Sequence, residues 1–185
     1  MYAYPDYHNY DLDPVTDVFG FDGAVISGWD ALMSVLRNEL NAGKQRICFE
    51  LYPGVNEEDL VSRLERETGL TVFRSVDARL PQQVLAERFA RYITNDRVFG
   101  VLYNGNLEDC FDPDVLRRLQ AEIAACPGPC LVLGTGAALL MPESDSLWHW
   151  GLTRWEIQLR MRRGMGTWMA GTLDGQQLTD RKAHV

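Results

Sequence analysis

From residue 27 to residue 134, short apolar runs alternate with amphipathic segments of helical period, and few folds accept that alternation. The strand-like runs are Arg46-Ile-Cys-Phe-Glu-Leu-Tyr52, Leu70-Thr-Val-Phe-Arg-Ser-Val76, Arg97-Val-Phe-Gly-Val-Leu-Tyr103 and Pro129-Cys-Leu-Val-Leu-Gly134. The first and the last are almost continuously apolar, as strands covered on both faces are. The expectation is an α/β fold of three-layer αβα type, with a mostly parallel sheet built from 46–52, 70–76, 98–103 and 129–134.

The helical segments carry their own start and stop signals. Ser27 and Asp30 resemble a capping box ahead of a stripe of Trp29, Leu32, Met33, Leu36 and Leu40. Asn56 can cap a helix that turns Leu60, Val61 and Leu64 inward and ends near Gly69. Pro81 starts a helix bearing Val84, Leu85, Phe89, Tyr92 and Ile93. Asp112-Pro113 starts another, with Val115, Leu116, Leu119 and Ile123 on its stripe. Residues 1–23 read as an irregular aromatic and acidic arm, 24–163 as the α/β domain, and 164–185 as a loop or tail.

Composition narrows the function. The 185 residues sum to a net charge of −8, where a general nucleic-acid binder would carry a basic surface. No run approaches the length of a membrane span, and the start MYAYPDYHNY lacks the basic region of a secretory signal, so a cytoplasmic protein is expected. The four cysteines, Cys48, Cys110, Cys126 and Cys130, form no C-x-x-C pair and read as small thiols in a reducing compartment. Cys126-Pro-Gly-Pro-Cys130 has no second pair with which to build a zinc site. His149, between Trp148 and Trp150, reads as packing, and no His/Glu metal spacing or nucleophile–base arrangement is evident.

In parallel α/β sheets, ligands sit at the carboxyl ends of the strands. The loop after the first strand, Tyr52-Pro-Gly-Val-Asn56, stands where a phosphate-cradling G-x-x-x-x-G-K-[ST] loop would be. It has the single Gly54 and no Lys, while the one upstream Gly-Lys, Gly43-Lys44, lacks the first Gly and the Ser/Thr. Glu57, Glu58 and Asp59 crowd the next helix start and would repel a phosphate there. Gly134-Thr-Gly136 carries two glycines of a dinucleotide fingerprint without the third; a tight strand exit is the simpler reading.

The densest chemical signal is 153–163, with four arginines in an acidic chain. Trp155, Ile157, Leu159 and Met161 alternate as in a strand, yet Thr153-x-x-Glu156 is a capping box and the composition favours helix. A helix is expected, with Arg154, Gln158 and Arg162 on one face and Trp155 and Leu159 anchoring the other. Arginine suits bidentate phosphate contacts; a solvated basic face is the alternative.

Several blocks in order resemble the amino-terminal region of the long-form bacterial class I mannose-6-phosphate isomerases. They are Gly28-Trp29-Asp30, Phe49-Glu-Leu-Tyr-Pro-Gly-Val55, Asp96-Arg-Val-Phe-Gly100, Leu107-Glu-Asp-Cys-Phe-Asp112, Gly134-Thr-Gly-Ala-Ala-Leu139 and Arg154-Trp-Glu-Ile-Gln-Leu-Arg160. The resemblance implies a degenerate P-loop fold similar to nucleoside kinases, placed before a zinc cupin domain that carries the isomerisation. It implies Arg154, Arg160, Arg162 and Arg163 as phosphate-facing, as in a kinase lid, with Asp77 as a polar partner; Gln158, Tyr52 and Gly54 complete the candidate ligand-binding set. The cupin's Gln, His and Glu zinc ligands have no counterpart in this sequence, so no cofactor and no catalytic residue is expected, and the chain reads as a truncated form of that family.

The leading expectation is therefore a non-catalytic accessory domain that binds a phosphorylated sugar or nucleotide, or docks a cupin isomerase domain. A phosphotransferase with an atypical phosphate loop and a structural or homo-oligomerising module are the alternatives. Nucleic acid and membrane are not expected partners.

Overall fold

The computed structural model describes residues 19–20, 23–92, 94 and 101–165. The chain divides into two compact units, 1–41 and 42–185. The first contains helix α1, Trp29–Asn41, whose first turn closes on the Gly28 carbonyl, one residue later than a Ser27 cap would place it.

The second unit is an α/β domain. Strands β1 (Arg46–Leu51), β2 (Thr71–Arg74), β3 (Cys130–Gly134) and β4 (Ser146–Trp150) form one sheet in the order β2-β3-β1-β4, and every pairing is parallel. Helices α2 (Glu57–Thr68), α3 (Gln82–Phe89), α4 (Pro113–Ala125), α5 (Ala137–Leu140) and α6 (Arg154–Arg162) connect and follow the strands. No described helix is long and apolar enough to cross a membrane.

Local chemistry accounts for the helix ends. The Asn56 side chain accepts the Asp59 N–H, and Gly69 closes α2 in the left-handed region at φ 64°. Asp112 accepts the N–H groups of Asp114 and Val115 ahead of Pro113. Alternation along the strands sorts the core. Cys48, Cys130 and Val132 pack with Leu85, Leu119, Ile123 and Leu140 in one cluster. Ile47, Phe49, Leu131 and Leu133 fall on the other face and are also buried. Phe49 stacks on Trp148, with ring centroids 5.1 Å apart. A strand buried on both faces gains no stability from polar residues, which is why β1 and β3 read as apolar runs.

Three of the four expected strands form, slightly shortened. Of the fourth, 98–103, only 101–103 lie among the described residues, and these are not in a strand, with Leu102 82% exposed. An apolar tripeptide with no neighbouring strand to pair with has no ladder to join. The fourth place belongs to β4, whose Leu147 and His149 face outward while Trp148 and Trp150 are half-buried. Its alternation is the signal that the aromatic–His run conceals. The expected arm and tail fall almost wholly outside the described residues.

Candidate functional site

All four strands point the same way, so the loops after Leu51, Arg74, Gly134 and Trp150 gather along one edge of the sheet. Three hydroxyl and amide contacts stitch that edge together. Ser75 Oγ donates to the Thr135 carbonyl at 2.8 Å, Thr135 Oγ1 donates to the Leu51 carbonyl at 2.8 Å, and the Tyr52 N–H donates to the Trp150 carbonyl at 2.8 Å. Ser75 and Thr135 are the buried polar residues of the described chain, and these bonds satisfy them.

Gly134 and Gly136 serve this closure. A Cβ on Gly134, at φ +127°, would stand 2.0 Å from Ser75 Oγ; one on Gly136, at φ +84°, would stand 2.7 Å from the Phe111 ring. Gly134-Thr-Gly136 is thus a tight strand exit. The Glu50 carboxylate accepts the Gly136 N–H at 2.6 Å and the Ala138 N–H at 2.8 Å. It occupies the free amides of this turn as an external anion would.

The start of α2 is likewise engaged. Arg74 Nε donates to Glu57 at 2.9 Å, and its terminal nitrogens pair with Glu58. Burial is the largest influence on Glu57 and pushes its carboxyl up; Asp77, on the 75–78 turn, adds repulsion, while Arg74 opposes both. The local excess of carboxylate at this helix start disfavours phosphate, as the sequence suggests.

Helix α6 forms as expected, with Thr153 accepting the Glu156 N–H at 3.3 Å. Its buried anchors are Ile157 and Met161, however, and not Trp155 and Leu159; Trp155 is 60% exposed. Both pairs have the four-residue spacing of one helical face, but they lie two positions apart, which turns the face by about 200°, and the core takes the Ile157 side. Arg154 opens the helix, exposed; Gln158 is half-buried; Arg162 lies over the Trp155 ring at 5.4 Å; Arg163 is exposed at the end.

Of the candidate residues, the structure joins Arg160 to Gly54. Arg160 donates to the Gly54 carbonyl at 2.9 Å and through Nε to Glu156 at 2.9 Å. Gly54 sits at φ +105°, and a Cβ there would meet Ile157 at 3.1 Å, so α6 and the 52–56 loop are in close contact. Tyr52 is half-exposed beside this contact, and Asp77 stands apart with the Arg74 cluster. Among the described residues, no hydrogen bond or ion pair ties Arg154, Arg162 or Arg163 to the strand loops through its side chain. Glu50, Ser75 and Thr135 were not singled out in the sequence. Glu50 had a signal: a carboxylate inside an otherwise apolar strand.

No three His, Cys, Asp or Glu side chains converge to hold a metal ion among the described residues.

The molecule is thus an α/β protein with an all-parallel sheet whose carboxyl edge is closed by its own side chains. The chain belongs to the family described as domain of unknown function DUF8485, whose model matches residues 28–183. No curated protein and no solved structure matches it.

Proposed function

We propose that this chain is a non-catalytic, kinase-like accessory domain of a mannose-6-phosphate isomerase-like protein, binding a phosphorylated sugar or nucleotide beside an isomerase domain. The sheet order supports the kinase-like part. β1→β2 and β2→β3 cross the sheet in opposite directions, and right-handed crossovers then place α2 and the α3–α4 segment on opposite faces, a three-layer αβα arrangement. The loops after β1 and β3 then leave toward opposite faces, which is the crevice where such sheets bind ligands.

The observation that carries the non-catalytic part is that this crevice is already filled. Glu50 takes the Gly136 and Ala138 amides, Arg74 takes the acids of α2, and Arg160 takes the Gly54 carbonyl. Phosphoryl transfer needs free cations and a metal at that place. The arginines left for a ligand are Arg154, Arg162 and Arg163, all exposed on α6.

A thermal-shift series with mannose 6-phosphate, nucleotides and inorganic phosphate tests the reading. A phosphorylated ligand at 100 times its dissociation constant adds about 2.7 kcal/mol of stability. The shift is expected to disappear in an Arg162→Ala, Arg163→Ala double variant, and magnesium-dependent ATP turnover abolished by mutating the 52–56 loop would overturn the reading. One observation favours a docking role instead: Trp155 is exposed with Arg162 over its ring, the residue types that anchor protein interfaces. Absence of any ligand shift would leave that role.

A further inference from the structure

The sheet ends on β4, and among the described residues no strand or loop pairs with its outer side. The register fixes which groups stand there. The Trp150 carbonyl accepts the Tyr52 N–H, so Trp150 turns its backbone toward β1. Backbone groups alternate along a strand, so Trp148 turns the same way, while Leu147 and His149 turn theirs outward. Two N–H and two C=O groups therefore line this edge. Both side chains are exposed as well, Leu147 to 61%. Nothing in the strand guards the edge. Ser146-Leu-Trp-His-Trp150 contains no Pro, Lys, Arg, Asp or Glu, the residues that usually keep an edge from pairing. The opposite edge differs: β2 has four residues and ends on Arg74, which gathers Glu57 and Glu58 beside it.

We propose that β4 pairs with β4 of a second copy of this chain, antiparallel about a two-fold axis at Trp148, so that two four-stranded sheets join into one. The outward residues lie one position to either side of Trp148. An antiparallel copy therefore sets Leu147 against the second copy's His149, and His149 against the second copy's Leu147, each pair exchanging both backbone bonds. The same five residues thus satisfy all four outward groups. Trp148 meets its counterpart on the axis as the closer, non-hydrogen-bonded pair, at a Cα separation of about 4.5 Å. Each Trp148 is already stacked on Phe49 at 5.1 Å, so the two stacks adjoin across the axis. Charge permits the approach in spite of a net −8 per chain. Asp145, the carboxylate nearest the strand in sequence, lies opposite Gly151 of the second copy. The two Asp145 residues then stand about 20 Å apart along the strands, at about 3.4 Å per residue, which exceeds the screening length of about 8–10 Å. Four backbone bonds and one aromatic pair make this a reversible dimer.

Sedimentation of the full chain over a concentration series should show a monomer–dimer equilibrium. Leu147→Lys sets a solvated ammonium in the pairing surface and should shift the equilibrium to monomer. Its circular dichroism should match the parent, because the side chain it replaces is exposed. Disulfide capture tests the register. Hydrogen-bonded partners stand about 5.5 Å apart at Cα, within disulfide reach, whereas two copies of position 147, or of position 149, lie on the diagonal at about 7–8 Å. A mixture of Leu147→Cys and His149→Cys chains should therefore form a 147–149 bond between copies under mild oxidation, mapped by mass spectrometry. Either variant alone should form no 147–147 or 149–149 bond. A monomer throughout the series, a dimer that survives Leu147→Lys, or either cysteine variant crosslinking through its new residue as readily as the mixture would overturn the proposal.

Discussion

The Arg160 guanidinium and the Gly54 carbonyl are joined by a 2.9 Å hydrogen bond across 106 positions of sequence. The bond fixes the last described helix onto the loop that follows the first strand of the sheet. A second contact of the same helix, Ile157 against the face of Gly54, runs beside it. An arginine expected to face a ligand is thereby committed to the fold.

Arg160→Ala should cost about 1.5–3 kcal/mol, the range for losing hydrogen bonds from a charged donor. Arg160→Lys should recover only part, because an ammonium cannot span Glu156 and Gly54 with a planar fork. Urea midpoints of the three proteins decide it; equal midpoints would reduce the contact to a surface pairing.

Gly54→Ala combines a left-handed backbone with a methyl group 3.1 Å from Ile157. Gly43→Ala meets the same kind of backbone at φ +91° with nothing within 4 Å. Backbone strain of about 1–3 kcal/mol applies to both, and only Gly54→Ala adds the crowding. Gly54→Ala is therefore expected to be the more destabilised of the two in denaturant titrations.

Glu50→Gln preserves shape but turns one acceptor into a donor facing an amide N–H. One of the Gly136 and Ala138 amides is left unsatisfied, at a cost of about 1–3 kcal/mol. Thermal unfolding that matches the parent would mean that water replaces the carboxylate there.

Alkaline stability follows from the thiols. Burial pushes Cys48 up to about 12, with Glu50 adding to it, and pushes Cys110 and Cys130 up to about 11, from an ordinary thiol value of 9.0. The folded values lie above the unfolded one. Their contribution is therefore fully present below pH 9.0 and is lost as the unfolded chain ionises from there toward pH 11–12. The urea midpoint should hold up to about pH 9 and fall as the pH rises above it, and Cys48→Ala should shrink the fall. At the acid end Asp145 runs the other way. Its backbone bonds to Gln45 and Arg46 hold its carboxyl below the ordinary range, so its contribution is lost as pH falls through that lowered value. Asp145→Asn should weaken the acid sensitivity.

Much of this fold was readable one segment at a time. Asn56, Gly69, Asp112-Pro113 and Thr153 act within a turn of their own position, and each does what its residue type and spacing suggest. The apolar runs of β1 and β3 identify themselves because both of their faces are buried. β4 was less legible, since one face carries tryptophans and the other a leucine and a histidine that face outward. Residues 101–103 looked as strand-like as 71–74, and only the presence of β3 beside β2 separates them.

The candidate site divides in the same way. The sequence alone established the missing lysine and hydroxyl of the 52–56 loop, the acids at the start of α2, and the arginines of 154–163, because these are matters of composition and local spacing. Long-range packing settled which of those groups are free. Whether Arg160 meets Gly54 and whether Glu50 caps the turn after Gly134 depend on strand order and register. Those are set by the summed burial of the whole sheet, a non-local quantity that no single segment encodes.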